Sequence, residues 1–342
     1  MRLWVGLVAV LALACSQQAP QPRSIASTPS VAHSTAPASP SPNLLGLNCR
    51  LPVEVIQTAG NPPGGWITFP GGNFQPDPSS IVDRGNETDG ISYDRAVSRW
   101  IPAFWNRLSP DGRRYVFPAG DALHVVDVRS GKDRVFTLPR GNGPWSVIDF
   151  TTSGVYLKAS GGLGPGEPGL WVLDSDTGQV RKLDGTIYTW SQVDSRAAWA
   201  VTYDAGTIHL RRLDLRSGAL TTQLTVPFHE LGQPGDQWLD LIGLDEQGRP
   251  LVSLAEWQKP SSWRIAVVEG PEMLRQVALP SEWANRAVGR DPYYRANIKG
   301  VLLTHGIWMI GHGFGLALYS PDGEIRQLTA SPEVFAIAGG CH

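Results

Sequence analysis

An all-β fold, a six-bladed β-propeller closed by both ends of the chain, is what this sequence predicts, and three observations predict it. No long stretch past Cys49 shows helical periodicity; short runs rich in β-branched and aromatic residues alternate with turn residues instead. The turns recur at a nearly constant interval. Unpaired strand-like segments are left over at both ends of the patterned region, each flanked by a cysteine. With 38 Gly and 28 Pro among 342 residues, the composition suits many short strands joined by tight turns.

The interval is read from five hairpin turns: DVRSG (127–131), DSDTG (174–178), DLRSG (214–218), VVEGPE (267–272) and SPDG (320–323). Each follows an apolar strand (LHVV, LWVL, IHLRRL, RIAVV, LALY), and four lead into a second one, as in GKDRVFTL and GEIRQL. Asp or Ser bonds back onto the turn backbone, and Gly supplies a positive φ. Gly131, Gly178, Gly218, Gly270 and Gly323 lie 47, 40, 52 and 53 residues apart. A period of about 40–50 residues, one four-stranded sheet per period, is a propeller signature. The other half of each unit begins near a tryptophan in four cases, Trp105, Trp145, Trp190 and Trp238, expected to pack between neighbouring blades.

Five units cover about 105–330. The strands left over are LPVEVIQ and GGWITFP near the start and VFAIAGG at the end. Together they make a sixth, composite blade, and residues 71–100 make a seventh if they form a sheet of their own. A bond between Cys49 and Cys341 would fasten the composite blade where it would otherwise fray, closing a loop of 292 residues (341 − 49). In an exported protein such a bond persists.

Export is predicted at the other end. Residues 1–14 carry one basic residue and a twelve-residue apolar run, too short for a permanent span, which reads as a secretory leader. Ala14 before Cys15 resembles the lipobox of bacterial lipoproteins, with Ala12 where Leu is more usual. That resemblance implies cleavage before Cys15 and acylation of it, anchoring the chain to the outer face of the cell membrane or within the envelope. Removing Cys15 from the count leaves two cysteines, an even number. Residues 16–43 hold seven Ser, six Pro and five Ala, a tether that spans about 30 Å as a coil. The propeller is expected over 44–342. The net charge of −2, with no basic block, argues against nucleic acid as a partner.

RLSPDGRRYVF (107–117) and LYSPDGEIRQLTA (318–330) resemble the repeats of WD-repeat-like propellers of the TolB type. The resemblance implies blades around a central channel, used as a platform for proteins or small ligands. Turns of this kind specify architecture and not activity.

Chemistry is hard to find in the motifs. HELGQ (229–233) has Gln233 in place of the second ligand of a zinc helix, and Pro234 follows it. His305 and His312, seven apart, read as turn residues rather than a zinc pair. GGLGPGEPG and GHGFG lack the strand-to-helix setting of a phosphate loop, DRGNETDG misses the register of a calcium loop, and no G-x-S-x-G elbow occurs. Two constellations remain. The loop EWANRAVGRDPYYRANIKG (282–300) gathers Trp283, Arg290, Tyr293, Tyr294 and Arg295, the residue types that anchor interfaces and stack on flat ligands. Its alternative is a cap with the aromatics buried. Asp149, Asp194 and Asp240 recur 45 and 46 residues apart, as channel carboxylates able to hold calcium or as turn caps. The expectation is an envelope lipoprotein that binds a ligand or protein without catalysis or cofactor. The alternative is an exported propeller enzyme, lactonase-like or quinoprotein-like, with a metal or cofactor in the channel.

Overall fold

Alternating apolar residues and Asx-stabilised turns fold the chain into consecutive antiparallel sheets. A computed structural model describes residues 46–55, 62–83, 90–139, 144–159, 168–204, 206–227, 237–256, 259–281, 283, 298–303, 305–311, 315–329 and 334–342. The leader, Cys15 and the tether lie outside the described residues.

The strands follow in chain order. β1 (Arg50–Val55), β2 (Gly64–Thr68) and β3 (Asn73–Pro76) open the described chain, and β4 (Ser92–Asp94) and β5 (Arg99–Ile101) form a separate hairpin. Blade I is β6 (Arg114–Ala119), β7 (Ala122–Asp127) and β8 (Asp133–Thr137). Blade II is β9 (Trp145–Thr151), β10 (Gly154–Ala159), β11 (Leu170–Leu173) and β12 (Val180–Asp184). Blade III comprises β13 (Trp190–Val193), β14 (Ala197–Asp204), β15 (Thr207–Asp214) and β16 (Leu220–Pro227). Blade IV comprises β17 (Gln237–Leu244), β18 (Pro250–Glu256), β19 (Lys259–Gly270) and β20 (Met273–Val277). Blade V comprises β21 (Ile298–Leu303), β22 (Gly306–Gly311), β23 (Gly315–Tyr319) and β24 (Ile325–Thr329). The last strand, β25 (Val334–Ile337), pairs with β1, so blade VI has the order β25-β1-β2-β3. The protein is a six-bladed propeller whose last blade is built from both ends of the chain.

The closure is doubly secured. Cys49 and Cys341 are bonded, with Cα atoms 5.6 Å apart. Arg50 and His342 beside them exchange two backbone hydrogen bonds, of 2.8 and 2.9 Å.

Local chemistry explains the repeating turns. Oδ1 of Asp127 accepts from the Ser130 backbone and hydroxyl, Oδ1 of Asp174 from the Asp176 and Thr177 backbones, and Oδ1 of Asp214 from Arg216 and Ser217. Gly131, Gly178 and Gly218 then take φ near +70° (68°, 75° and 72°), where a Cβ is disfavoured. The fourth turn is made differently. Gly270 is the last residue of β19 with an ordinary φ, and Pro271 and Glu272 form the two-residue hairpin before Met273.

Five of the six blade–blade interfaces are continuous apolar layers: I/II around Val116 and Leu157, II/III around Tyr156 and Trp190, III/IV around Leu210 and Leu254, IV/V around Ile265 and Met309, and V/VI around Trp308 and Val53. Trp145 and Trp190 are buried in these layers as expected, and Trp105 packs half-buried beside Leu108. The sixth interface is different. Between blades VI and I stands the two-stranded β4–β5 wedge, in contact with blade VI through Trp66, Tyr93 and Trp100 and with blade I through Ile101, Val128 and Tyr115. Residues 71–100 therefore contribute one strand to blade VI and the larger part of a half-blade, short of a seventh.

Candidate functional site

The first strand of each blade is innermost, because β9 lies against β13, β13 against β17, β17 against β21, and β25 against β22 of blade V. Blade I has no regular inner strand. Residues 103–108, with a 3₁₀ turn at Trp105–Arg107, take its place, tied to β6 by a bridge between Leu108 and Tyr115. Asn106 Nδ2 donates to the Ile148 carbonyl at 2.8 Å, joining this segment to β9.

The inner strands share a bulge, one extra residue opposite the second strand: Ile148 in β9, Ser191 in β13 and Ile242 in β17. Aligned on it, the three recurrent aspartates fall out of register. Asp149 is one residue after the bulge, Asp194 three after it and Asp240 two before it. At about 3.3 Å per residue, Asp240 and Asp149 stand about 10 Å apart in level along the channel. Asp194 caps the β13–β14 turn, its Oδ1 accepting from Arg196 and Ala197 at 2.6 and 2.8 Å. Among the described residues, no group of three or more His, Cys, Asp or Glu is placed to hold a metal ion. The equal spacing in sequence does not make a carboxylate ring.

The two remaining aspartates are each unusual. Burial pushes Asp149 up to about 7, against one hydrogen bond from the Phe150 backbone. Lys158 on β10 is also buried, which lowers its pKa. Burial likewise pushes Asp240 up to about 6, opposed by the Trp238 indole, which donates to Oδ2 at 2.6 Å, and by the Lys299 ammonium. Tyr203, at the end of β14, is 49% exposed. Burial of its hydroxyl and the Asp240 charge raise its pKa, while the Leu239 backbone hydrogen-bonds it.

Near the start of β17 the Trp238–Asp240 pair of blade IV therefore lies within electrostatic reach of Tyr203 from blade III and Lys299 from blade V. Trp238 is half-buried and turned to a carboxylate, whereas Trp145 and Trp190 are buried between blades. Tyr203 and Lys299 escape motif reading, since their nearness to Asp240 depends on which ends of strands in different blades coincide. The Trp-x-Asp step of Trp238–Asp240 is the one local signal present, because residues two apart on a strand share a face.

Trp283 from the predicted aromatic loop is fully buried, 0% exposed, stacked on Trp263 at 6.5 Å between blades IV and V. It is a core residue, as the alternative of a cap with buried aromatics has it. Arg290, Tyr293, Tyr294 and Arg295 lie outside the described residues, as does His312. His305 is an exposed turn residue with φ 79°.

No protein-family model matches the chain, and no curated protein matches it by sequence. Solved structures do match. A protein from Lactobacillus plantarum superposes with TM-score 0.50 at 12% identity, over 86% of this chain and 98% of that one. The fold is shared. TolB from Acinetobacter baumannii gives TM-score 0.41 at 13% identity over 81% of this chain and 65% of its own. A puromycin-hydrolyzing peptidase from Mycobacterium tuberculosis gives 0.44 at 14% over 85% and 48%. This chain therefore spans less than two thirds of the TolB and peptidase chains. At such identities the likeness concerns the propeller alone, not activity.

Proposed function

We propose that the protein is exported, anchored through Cys15 to the outer face of a bacterial membrane, and that its propeller binds a small ligand without transforming it. The Cys49–Cys341 bond supports an oxidising compartment. The observation carrying the binding reading is the Trp238–Asp240 hydrogen bond, with Tyr203 and Lys299 of the neighbouring blades within electrostatic reach of the carboxylate. Aromatic faces beside a carboxylate and an ammonium, contributed by rigid neighbouring strands, suit a small polar ligand bearing an amine, a carboxylate or both.

A panel of amines, amino acids and sugars, screened by thermal shift on the wild type and on Asp240→Asn and Tyr203→Ala, tests this. A ligand that stabilises the wild type by several degrees and neither variant supports it. A panel without hits, or hits indifferent to both substitutions, refutes it.

One observation favours an enzyme instead. Burial pushes the Asp149 carboxyl up to about 7, which would poise it as a general base. Turnover of a lactone or ester that rises through pH 7 and vanishes in Asp149→Asn would establish that reading.

A further inference from the structure

The seam between blade VI and the β4–β5 wedge holds an ionisable ring. His342, beyond the end of β25, sets its imidazole against Trp66 of β2 and Tyr93 of β4, with ring centroids 5.9 and 5.6 Å away. Trp66 and Tyr93 pack on each other at 4.6 Å and both touch Trp100, so the histidine completes an aromatic cluster of four. Its main chain is fixed by the two hydrogen bonds exchanged with Arg50, and Cys341 beside it is bonded to Cys49.

The ring is held as an apolar body would be. His342 is half-buried, yet Nδ1 and Nε2 are both shielded from water, and neither has a hydrogen-bond partner among the described residues. A neutral imidazole leaves one donor unpaired there, whereas an imidazolium leaves two and adds a charge.

The surrounding charges oppose that addition. Burial lowers the histidine's pKa, and the positive charge of Arg95, just after β4, lowers it further. The Arg50 guanidinium already lies over the Trp66 ring at 4.6 Å, so a second cation on that ring would meet the first. The nearby acids are directed elsewhere. Asp77 accepts from the Trp66 and Trp100 indoles, and Glu54 from the Ile91 backbone. Asp94 and Arg99 are cross-strand partners on the face of the wedge opposite Tyr93 and Trp100, and Asp94 accepts from the Ala96 backbone.

We infer that His342 is a pH-sensitive latch: neutral, it holds the wedge to blade VI, and once protonated it leaves the aromatic cluster and loosens that seam. A main-chain tie of the same seam is close by, Tyr93 N–H donating to the Ala338 carbonyl at 2.6 Å. The bonded Cys341 keeps a released His342 within reach, which makes the latch reversible. Because the folded pKa is depressed, the latch's contribution is complete above the ordinary 6.5 and is lost as pH falls from there through the lowered value. Asp77, held at about 2, keeps its charge throughout this window. The latch is independent of the Trp238–Asp240 site.

Hydrogen exchange of the full chain at about pH 7.5 and about pH 5 tests it, since an ordinary histidine changes charge between them. Corrected for the intrinsic rate, protection of the Tyr93 and Arg50 amides should fall roughly tenfold at the lower pH, the penalty of a second unpaired donor. The Leu215 amide, bonded to the Arg196 carbonyl in blade III, should not change. His342→Phe keeps a ring in the cluster without the nitrogens, and should show wild-type protection at both pH values. Arg95→Gln, an exposed change that removes the nearby cation, should move the transition to higher pH. In the wild type, the imidazole signal identified by its through-space contacts with Trp66 and Tyr93 should titrate below 6.5. That measurement and Arg95→Gln decide the matter even where His342→Phe does not fold. Wild-type protection that is level with pH, a fall that persists in His342→Phe, a transition indifferent to Arg95→Gln, or a ring that titrates at or above 6.5 would overturn the inference.

Discussion

Asp77→Ala should release the wedge from blade VI. The Asp77 carboxylate accepts from two indoles through Oδ2, Trp66 of β2 at 2.9 Å and Trp100 of β5 at 3.0 Å. Through Oδ1 it accepts from the Ser79 backbone and hydroxyl at 2.9 and 2.7 Å. These bonds outweigh its burial and hold it at about 2, below the ordinary 3.8. That difference corresponds to about 2.4 kcal/mol at neutral pH, but water reaches the carboxylate, so roughly 1–1.5 kcal/mol is the fair share. Truncation also leaves two indole N–H groups without an acceptor. Trp66 and Trp100 are 8% and 3% exposed, so about 1 kcal/mol each is expected. The contributions overlap, and a total of about 2–3 kcal/mol follows. Because the folded pKa is depressed, the ionic part is complete above pH 3.8 and disappears as pH falls through about 2. Urea unfolding of wild type and variant at pH 7 and at pH 2 reads both quantities. A difference below about 0.5 kcal/mol at pH 7, or one that stays the same at pH 2, would refute the clamp.

Three other outcomes follow from the same structure. Cys49→Ser, or reduction of the wild type, should cost about 2–4 kcal/mol, since the bond closes a 292-residue loop; unfolding with and without dithiothreitol measures it, and equal midpoints would contradict it. Trp283→Ala should destabilise by about 3–5 kcal/mol, as loss of a fully buried indole does, while ligand binding at Tyr203–Asp240 is unchanged below the melting point. Asp149→Asn should be more stable than wild type at pH 8, on the order of 2–4 kcal/mol, because a raised folded pKa makes the ionised carboxyl a cost. The wild type recovers as pH falls through about 7 and is fully restored below 3.8, so the two proteins converge near pH 4. An equal difference at both pH values would remove burial as the cause.

Turn chemistry was legible without a structure because it is local. Asp127, Asp174 and Asp214 bond to backbone two or three residues away, and the glycine that ends each turn needs no distant contact to take its positive φ. Closure was legible too: cysteines at 49 and 341 flanked the only strands that lacked partners. The candidate site was much less so. The even spacing of Asp149, Asp194 and Asp240 counts residues along the chain, whereas position in the channel counts them from the bulge. Aromatic composition offered Trp283 either as a contact or as a buried cap residue, and composition is blind to the direction of a side chain at the end of a loop.

By itself, then, the sequence determined the all-β class, the hairpin period and the joining of the two ends, all properties of neighbouring residues or of the cysteine count. Tertiary structure alone decided that residues 71–100 yield a half-blade wedge, and that Tyr203 and Lys299 come within electrostatic reach of the Trp238–Asp240 pair while Asp194 turns aside. The reason is physical. Strand pairing is specified by short-range alternation, but the packing of sheets around an axis sums small register shifts over the whole ring, and one extra residue moves a side chain to the other face.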